Sequence, residues 1–233
     1  GATGIAKRMV TEYRLKLQIR GQFGTYVSPD LDKQLENDPT LLRLGGETKT
    51  MTFLFCDIVG FTPISEKLQE DPQKLVELIN RLLTQLTDCV LKHGGTVDKF
   101  MGDCIMAFWG APLDCADHAQ RAMLAAKDML DLLDDLNAQL DAEGLPNLHV
   151  GVGINTGPCV VGNMGSEARF DYSVLGDAVN TASRLEGQTR NYDDWILIGE
   201  NTAAIEPDWV RYVDAISVKG KSEPLNVYTL KGA

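Results

Sequence analysis

Positive charge is scarce in this sequence. It has 22 Lys and Arg residues against 33 Asp and Glu residues, so its formal net charge is −11 at pH 7. A protein that binds nucleic acid through phosphate contacts needs clustered Lys and Arg side chains, so the charge argues against a nucleic-acid partner. A phosphorylated small molecule would also need locally supplied cations, either a metal ion or a few well-placed basic residues.

Long apolar runs and cysteine motifs are also missing. No apolar run approaches the ~20 residues that a membrane-spanning helix needs. The cysteines have no CxxC spacing and fall within predicted strands and helices, at Cys56, Cys89, Cys104, Cys115 and Cys159. Because free cysteine behaves as a small buried hydrophobe, we interpret these residues as packing groups in a reducing compartment. A structural zinc site is not expected.

The first 45 residues differ in character from the rest. Residues 5–20 are basic and mildly amphipathic, which predicts either a helix that enters from an upstream region or a frayed terminus. The sequence starts Gly-Ala-Thr-Gly without an initiator Met, and we therefore expect the natural protein to extend upstream. Gly45-Gly46 marks the predicted boundary. We assign residues 1–45 to a helix and linker, and 46–233 to the main domain.

The main domain is organised around residues 51–109. An apolar run of strand type delivers Asp57 near its end, an amphipathic helix follows, and two short strands meet at Gly102-Asp103. This order places Asp57 and Asp103 together at one edge of a sheet, where paired carboxylates suit a divalent cation such as Mg²⁺. Taken singly, Asp57 is also explained as a helix cap and Asp103 as an ordinary turn residue.

The remaining pattern predicts an α+β fold. The order β-α-β-β-α-β corresponds to a ferredoxin-like core with both helices on one face, extended by later elements to a larger mixed sheet. We predict strands at 148–154 and 159–162, joined by a turn at 155–158. A helix over 177–188 places Asn180 and Arg184, at i and i+4, on a shared face away from its apolar side.

Three segments resemble the class III nucleotidyl cyclases. They are Phe-Cys-Asp-Ile-Val-Gly-Phe-Thr at 55–62, Lys-Phe-Met-Gly-Asp at 99–103 and Leu-Gly-Asp-Ala-Val-Asn-Thr-Ala-Ser-Arg-Leu at 175–185. Their order and spacing follow the family's over about residues 47–230. The resemblance implies the ferredoxin-like fold and an enzyme that converts a nucleoside triphosphate into a 3′,5′-cyclic nucleotide and pyrophosphate.

The resemblance also implies a metal site. Asp57 and Asp103, with the Ile58 carbonyl, would hold two Mg²⁺ or Mn²⁺ ions. Asn180 and Arg184 would orient the ribose and stabilise the transition state, because a guanidinium suits the equatorial oxygens of a phosphorane-like species.

The other residues that the resemblance assigns bind the substrate. Phe61 and Thr62 belong to this group. In the family, the catalytic Asn and Arg come from a partner chain together with a Lys from the Val-Lys-Gly-Lys turn. That Lys would be Lys219, with Lys221 as the alternative. We therefore expect a homodimer whose sites span the interface.

Base choice rests on Lys99 and Ser173. The resemblance implies adenine recognition, because a Lys donor suits the N1 acceptor of adenine, whereas guanine N1 carries a proton. Ser173 stands where many adenylyl cyclases have Asp, and it resembles the bicarbonate-responsive subclass, which implies stimulation by bicarbonate. Gly151 is a second departure, since family members often have a phosphate-contacting Arg there. One triphosphate contact is then missing or supplied by another residue.

The resulting expectation is a homodimeric adenylyl cyclase domain that acts on ATP. The alternatives are a guanylyl cyclase, which Lys99 argues against, and a nucleotide-binding regulatory module whose catalysis has decayed. We expect a cytoplasmic catalytic domain, either free or tethered in a longer protein to the inner face of a membrane.

Overall fold

The computed structural model describes residues 36–38, 46–165 and 170–233. The predicted helix over 5–20 and the boundary at Gly45 lie outside these residues. The strands are β1 (Glu47–Val59), β2 (Thr96–Met101), β3 (Cys104–Trp109), β4 (His149–Gly165), β5 (Phe170–Leu175), β6 (Ile196–Gly199), β7 (Val210–Ile216) and β8 (Leu225–Leu230). The α-helices are α1 (Phe61–Lys67), α2 (Pro72–Lys92), α3 (His118–Ala142), α4 (Asp177–Gln188) and α5 (Glu200–Ala203). Short 3₁₀ turns cover Thr189–Asn191 and Pro207–Trp209.

One mixed sheet of eight strands forms the centre of the described chain. Its order is β2-β3-β1-β4-β6-β8-β7, and β5 pairs with β4. β1 pairs antiparallel with both β3 and β4, whereas β4 pairs parallel with β6. The first four strands in this order are the ferredoxin-like core, so the predicted α+β fold is confirmed, together with its extension to a larger mixed sheet.

The alternation of side chains along β1 separates two apolar layers. Leu54 and Cys56 face the layer that contains α2 and α3. Phe53 and Phe55 face the opposite layer, where Val179 of α4 packs. Because successive side chains of a strand point to opposite faces, Asp57 continues the second series. The sheet therefore presents the Asp57 carboxyl on the α4 side.

β4 contradicts the predicted turn at 155–158, because the strand is continuous. Gly157 packs closely under α4, since a Cβ at this position would lie 2.7 Å from the Ala178 Cβ. The backbone between 155 and 159 pairs with β1 alone, so Pro158 sits where β4 has lost its β6 partner and not yet gained β5. A strand tolerates proline at such an open edge. The Gly-Pro pair thus serves close packing and does not turn the chain.

The predicted helices agree with the structure more closely than the predicted turn does. The amphipathic helix predicted after Asp57 is α2. Asp71 caps it, because its side chain accepts a hydrogen bond from the Lys74 N–H, and Pro72 follows at the first helical position. The helix predicted over 177–188 is α4. Within the described ranges, no helix is both long and apolar enough to cross a membrane.

Candidate active site

Two carboxylates meet at the edge where β1 and the β2–β3 hairpin end. Asp57 pairs in register with Cys104, the first residue of β3. Asp103 precedes Cys104 in the hairpin turn, where Gly102 adopts a left-handed φ of 64°. The two acidic side chains, far apart in sequence, thus come to one place, as the residue pattern predicts.

The electrostatics of Asp57 show that the site is short of positive charge. Burial raises the pKa of the Asp57 carboxyl, the negative charge of Asp103 raises it further, and the Arg190 guanidinium opposes both. Its Oδ1 atom is buried and accepts no hydrogen bond from the part of the chain that the structure describes. A buried carboxylate oxygen without a partner is costly, so this atom is suited to bind a cation.

A second acid–base pair, which was not predicted from the sequence, borders the carboxylates. Arg190 donates from Nη2 to Asp57 Oδ2 at 3.1 Å and from Nη1 to Glu186 Oε1 at 2.8 Å. Burial raises the pKa of Glu186, the charges of Asp57 and Asp103 add to the rise, and Arg190 counteracts it. The i and i+4 spacing of Glu186 and Arg190 was visible in the sequence, but nothing local indicated that Arg190 would reach a residue 133 positions away.

Gly151 explains why that pair fits. It lies opposite Asp57 in the β1–β4 register. A Cβ at this position would come within 2.3 Å of Thr189 Oγ1 and 3.2 Å of Glu186 Oε1. The space that a side chain at 151 would need is therefore filled from the end of α4.

The donor set suits a hard divalent ion. Carboxylate oxygens are the ligands of Mg²⁺ and similar ions, which commonly use one or two carboxylates and complete their shell with water and substrate phosphate oxygens. Asp57 and Asp103 match that pattern, and the unpaired Oδ1 atom is the oxygen best suited to bind. The described residues contain no cluster of three or more His, Cys, Asp or Glu side chains arranged for a metal, so further ligands would have to come from backbone, water or substrate.

The two predicted base-reading residues also come together, through a third residue that was not predicted. Ser173 Oγ donates a hydrogen bond to Asp98 Oδ2 at 2.7 Å. The other oxygen of Asp98 lies 3.7 Å from Lys99 Nζ. The sequence offered a signal for this residue, namely an acid directly before Lys99, but not the contact with β5.

The predicted catalytic pair lies on the exposed side of α4. Asn180 and Arg184 are exposed, whereas Val179, Ala182 and Leu185 are buried. The structure thus separates the polar face from the packed face as the spacing predicts. Among the described residues, no hydrogen bond or ion pair joins either side chain to another predicted site residue.

The remaining predicted residues lie around the same sheet. Phe61 and Thr62 begin α1 immediately after Gly60, and Ile58 buries its side chain in the α2–α3 layer. Lys219 is exposed in the turn after Val218, where the N–H of Lys221 bonds to the Val218 carbonyl at 3.1 Å.

Lys221 differs from its neighbour in having an acidic partner within the chain. Its Nζ lies 3.0 Å from Asp177 Oδ2 at the start of α4.

A groove that is lined in part by acidic residues lies between α2 and α3. It has a volume of about 640 Å³ and is lined by residues of α2 and α3, including Asp88 and Asp131. His93 ends α2 beside it and bonds through Nε2 to Asp128 Oδ2 at 2.8 Å. Because α2 and α3 cover the sheet face opposite Asp57, this groove is separate from the carboxylate site. His93 is thus a helix-end residue with an acidic partner.

Comparison with known proteins agrees with the geometry. Residues 46–232 match the family model described as the adenylate and guanylate cyclase catalytic domain. An adenylate cyclase of Anabaena cylindrica is 40% identical over 190 residues, which cover 79% of this chain and 37% of that protein. The chain therefore spans little more than a third of the length of this curated relative.

Two solved structures are similar to almost the same degree. The adenylyl cyclase CyaB from P. aeruginosa gives a TM-score of 0.74 at 37% identity and covers 82% of this chain and 97% of that one. The guanylyl cyclase Cya2 gives a TM-score of 0.70 at 36% identity and covers 80% of this chain and 93% of that one. Overall similarity to an adenylyl cyclase and to a guanylyl cyclase is nearly equal, so it does not decide the base.

Proposed function

The chain belongs to the family of adenylate and guanylate cyclase catalytic domains, and from that premise we propose that it is an adenylyl cyclase. It would convert ATP into 3′,5′-cyclic AMP and pyrophosphate. In this reaction the ribose 3′-oxygen attacks the α-phosphorus, and the bond from that phosphorus to the α–β bridging oxygen breaks. The hydroxyl proton leaves, and the departing pyrophosphate carries the electron pair.

The observation that carries the proposal is the convergence of Asp57 and Asp103, with one buried Asp57 oxygen unpaired. These carboxylates, with the Ile58 carbonyl, would hold two Mg²⁺ or Mn²⁺ ions. Such ions, when bound, lower the pKa of the attacking hydroxyl and neutralise the triphosphate. A decayed regulatory module would be expected to have lost these acids or the Asn180–Arg184 pair, and this chain retains all of them.

Asn180 and Arg184 would act on the reacting sugar and phosphate. The Asn180 amide would bond the ribose and hold its 3′-oxygen in line, because orientation supplies much of the acceleration in such an intramolecular attack. The Arg184 guanidinium would stabilise the charge that develops on the equatorial oxygens. Lys219 would neutralise the triphosphate, and its exposure and lack of the Asp177 partner that Lys221 has favour it over Lys221.

We place these residues opposite the carboxylates of a second copy of the chain, so that a homodimer carries two sites. Exposed apolar side chains support such an interface. Val160 and Leu175 are partners across β4 and β5, and are 43% and 65% exposed. Phe100 and Met101 at the end of β2 are 41% and 45% exposed. A monomer rarely leaves such groups uncovered side by side.

Substrate binding involves further residues on the same chain. Phe61 and Thr62 would contact the nucleotide at the start of α1. Arg190, which already contacts Asp57, is the candidate for the phosphate contact that Gly151 cannot make. Lys99 and Ser173 would read the base, and their donor and acceptor chemistry favours adenine.

Turnover with each nucleotide is the direct test. Purified protein is incubated with ATP or GTP plus Mn²⁺, and cyclic product is measured against protein concentration. We expect cyclic AMP to form faster than cyclic GMP, at a specific rate that rises with concentration as dimers assemble. Faster production of cyclic GMP would establish the guanylyl cyclase alternative, and no product at any concentration would support the decayed module.

The shared site has its own test. Chains with Asp57→Asn and chains with Arg184→Ala are each expected to be inactive. Their heterodimer should regain part of the activity, because one of its two sites keeps both residues. An inactive heterodimer, once its assembly is demonstrated by tag-based pull-down, would contradict the shared site.

Stimulation by bicarbonate is a finer proposal that rests on Ser173. The expected result is a higher rate with sodium bicarbonate than with sodium chloride at the same pH and ionic strength. Equal rates would remove the proposal and leave the cyclase assignment intact.

A further inference from the structure

A buried carboxylate joins the two side chains that we assign to base reading. The Asp98 side chain is only 1% exposed. Its Oδ2 atom accepts a hydrogen bond from Ser173 Oγ, with 2.7 Å between the two oxygens, and its Oδ1 atom lies 3.7 Å from Lys99 Nζ. These residues come from two strands, β2 and β5, that do not pair with each other.

The backbone of β2 is irregular at this point. Its register with β3 shifts between Val97 and Lys99, so that Asp98 is an extra residue on the bulged strand. Neighbouring residues of a regular strand point to opposite faces, and a bulge re-aims one of them. The bulge accounts for the closeness of the Asp98 and Lys99 charged groups, although the two residues are adjacent in sequence.

This arrangement settles the hydrogen-bonding character of Ser173. A serine hydroxyl has one proton to donate and two lone pairs that accept, whereas an ionised carboxylate only accepts. Once the Ser173 proton is directed to Asp98, its Oγ atom can only accept from any other partner. Lys99, whose ammonium group has donors and no acceptor, presents the opposite character beside it.

We propose that Asp98 is a positioning residue that sets the base preference of the site by holding Ser173 as an acceptor next to the Lys99 donor. The inference rests on the proposed cyclase function and extends it. Adenine presents an N1 acceptor and a 6-amino donor, which match Lys99 and Ser173. In the same pose guanine presents an N1–H donor to Lys99 and an O6 acceptor to Ser173, so that donor faces donor and acceptor faces acceptor. A serine without this carboxylate would be free to rotate its proton toward guanine O6.

The test compares wild-type protein with Asp98→Asn on three substrates: ATP, GTP and purine riboside triphosphate, which lacks the 6-amino group. The Asn amide can donate a hydrogen bond to Ser173 Oγ, and the Ser173 hydroxyl proton is then no longer directed to residue 98. We expect the ratio of kcat/KM for ATP to that for GTP to fall roughly 3- to 10-fold, the effect of about one hydrogen bond. The advantage of ATP over purine riboside triphosphate should shrink in the same variant.

Ser173→Ala supplies the matched control. It removes the hydroxyl, so adding Asp98→Asn to it should leave the nucleotide ratios unchanged. Ser173→Thr keeps the hydroxyl and should keep the preference for ATP. A merely structural role for Asp98 would lower all three kcat/KM values together and leave the ratios as they are.

The outcomes separate the two levels of the proposal. A wild-type protein that cyclises ATP, with unchanged ratios in folded Asp98→Asn, refutes the role of Asp98 alone. If circular dichroism shows that Asp98→Asn does not fold, Ser173→Ala decides. An unreduced advantage of ATP over purine riboside triphosphate in that variant shows that Ser173 accepts nothing from the base, and it overturns the inference. A wild-type protein that cyclises neither ATP nor GTP removes the proposed function, and this inference with it.

Discussion

Asp57 and Asp98 are both sheet aspartates, yet their carboxyl groups differ in what surrounds them. Asp98 lies on a bulge, where its Oδ2 atom accepts a hydrogen bond from the Ser173 hydroxyl. Its Oδ1 atom, like that of Asp57, is buried without a hydrogen bond from the described residues, but it lies 3.7 Å from the Lys99 ammonium nitrogen. Asp57 has one oxygen on Arg190, and its other oxygen lies next to the like charge of Asp103. A carboxylate whose oxygens face a hydroxyl and an ammonium orients its neighbours, whereas one with an unbonded oxygen beside another acid is suited to a cation.

The largest effect should come from removing the Asp57 charge. Asp57→Asn keeps the size of the side chain but loses the anionic oxygen, and we expect turnover to fall by about 10³-fold or more, since bound metal ions supply several kcal/mol of charge stabilisation. The measurement is cyclic product formed per minute. Asp131→Asn, on the exposed side of α3, is the matched control and should keep full turnover. Full turnover by Asp57→Asn would show that Asp57 is no more important for catalysis than Asp131.

Arg184→Ala should give the next largest loss. An interaction that strengthens only in the transition state lowers kcat more than it alters substrate binding. We expect kcat to fall by roughly 10²- to 10³-fold, with a much smaller change in the affinity for a non-reacting ATP analogue. Arg81→Ala is the control, because Arg81 is exposed on α2 and bonds Gln139 of α3. A loss confined to ATP affinity would assign Arg184 to ground-state binding.

The raised pKa of Asp57 predicts that the stability of the protein depends on pH when no divalent ion is present. Because burial and Asp103 raise the pKa of Asp57 above its ordinary value of 3.8, protonated Asp57 is favoured in the folded state. Its contribution to stability is therefore greatest at acid pH and is lost as the pH rises through the raised pKa. Urea unfolding of wild type and Asp57→Asn should show the variant gaining relative stability as the pH rises. A difference that is independent of pH would contradict the shift.

The smallest effect is expected for a surface ion pair. Lys127 and Asp131 are paired at 2.9 Å across one turn of α3, with side chains 46% and 60% exposed. Such exposed pairs contribute little to stability, because solvent screens them. Lys127→Ala should therefore change the urea midpoint only slightly and leave turnover unchanged. A large loss of stability would show that ion pairs of the helical layer contribute more than this account allows.

The parts of the fold that were predicted correctly are those with local signals. The helix predicted over 177–188 is α4, and the apolar run before Asp57 is a strand that puts this acid at the sheet edge. The turn predicted at 155–158 was wrong, because Gly157 and Pro158 reflect packing against α4 and an unpaired strand edge. Both features depend on tertiary contacts, which local sequence propensity cannot predict.

The residues of the site also divide into those that the sequence indicated and those that depend on tertiary contacts. Asp57, Asp103, Lys99 and Ser173 were found from the pattern and the family resemblance. Asp98 and Arg190 were not, because each acts through a contact between elements that are distant in sequence: β2 with β5, and the end of α4 with β1. The roles of the residues remain predictions that the experiments above test.

Binding of Mn²⁺, followed by electron paramagnetic resonance in the presence of a non-reacting ATP analogue, tests the central claim most directly. Wild-type protein should bind Mn²⁺, and Asp57→Asn and Asp103→Asn should each weaken that binding sharply, whereas Asp131→Asn should not. Equal Mn²⁺ affinity in wild type, Asp57→Asn and Asp103→Asn would contradict the account.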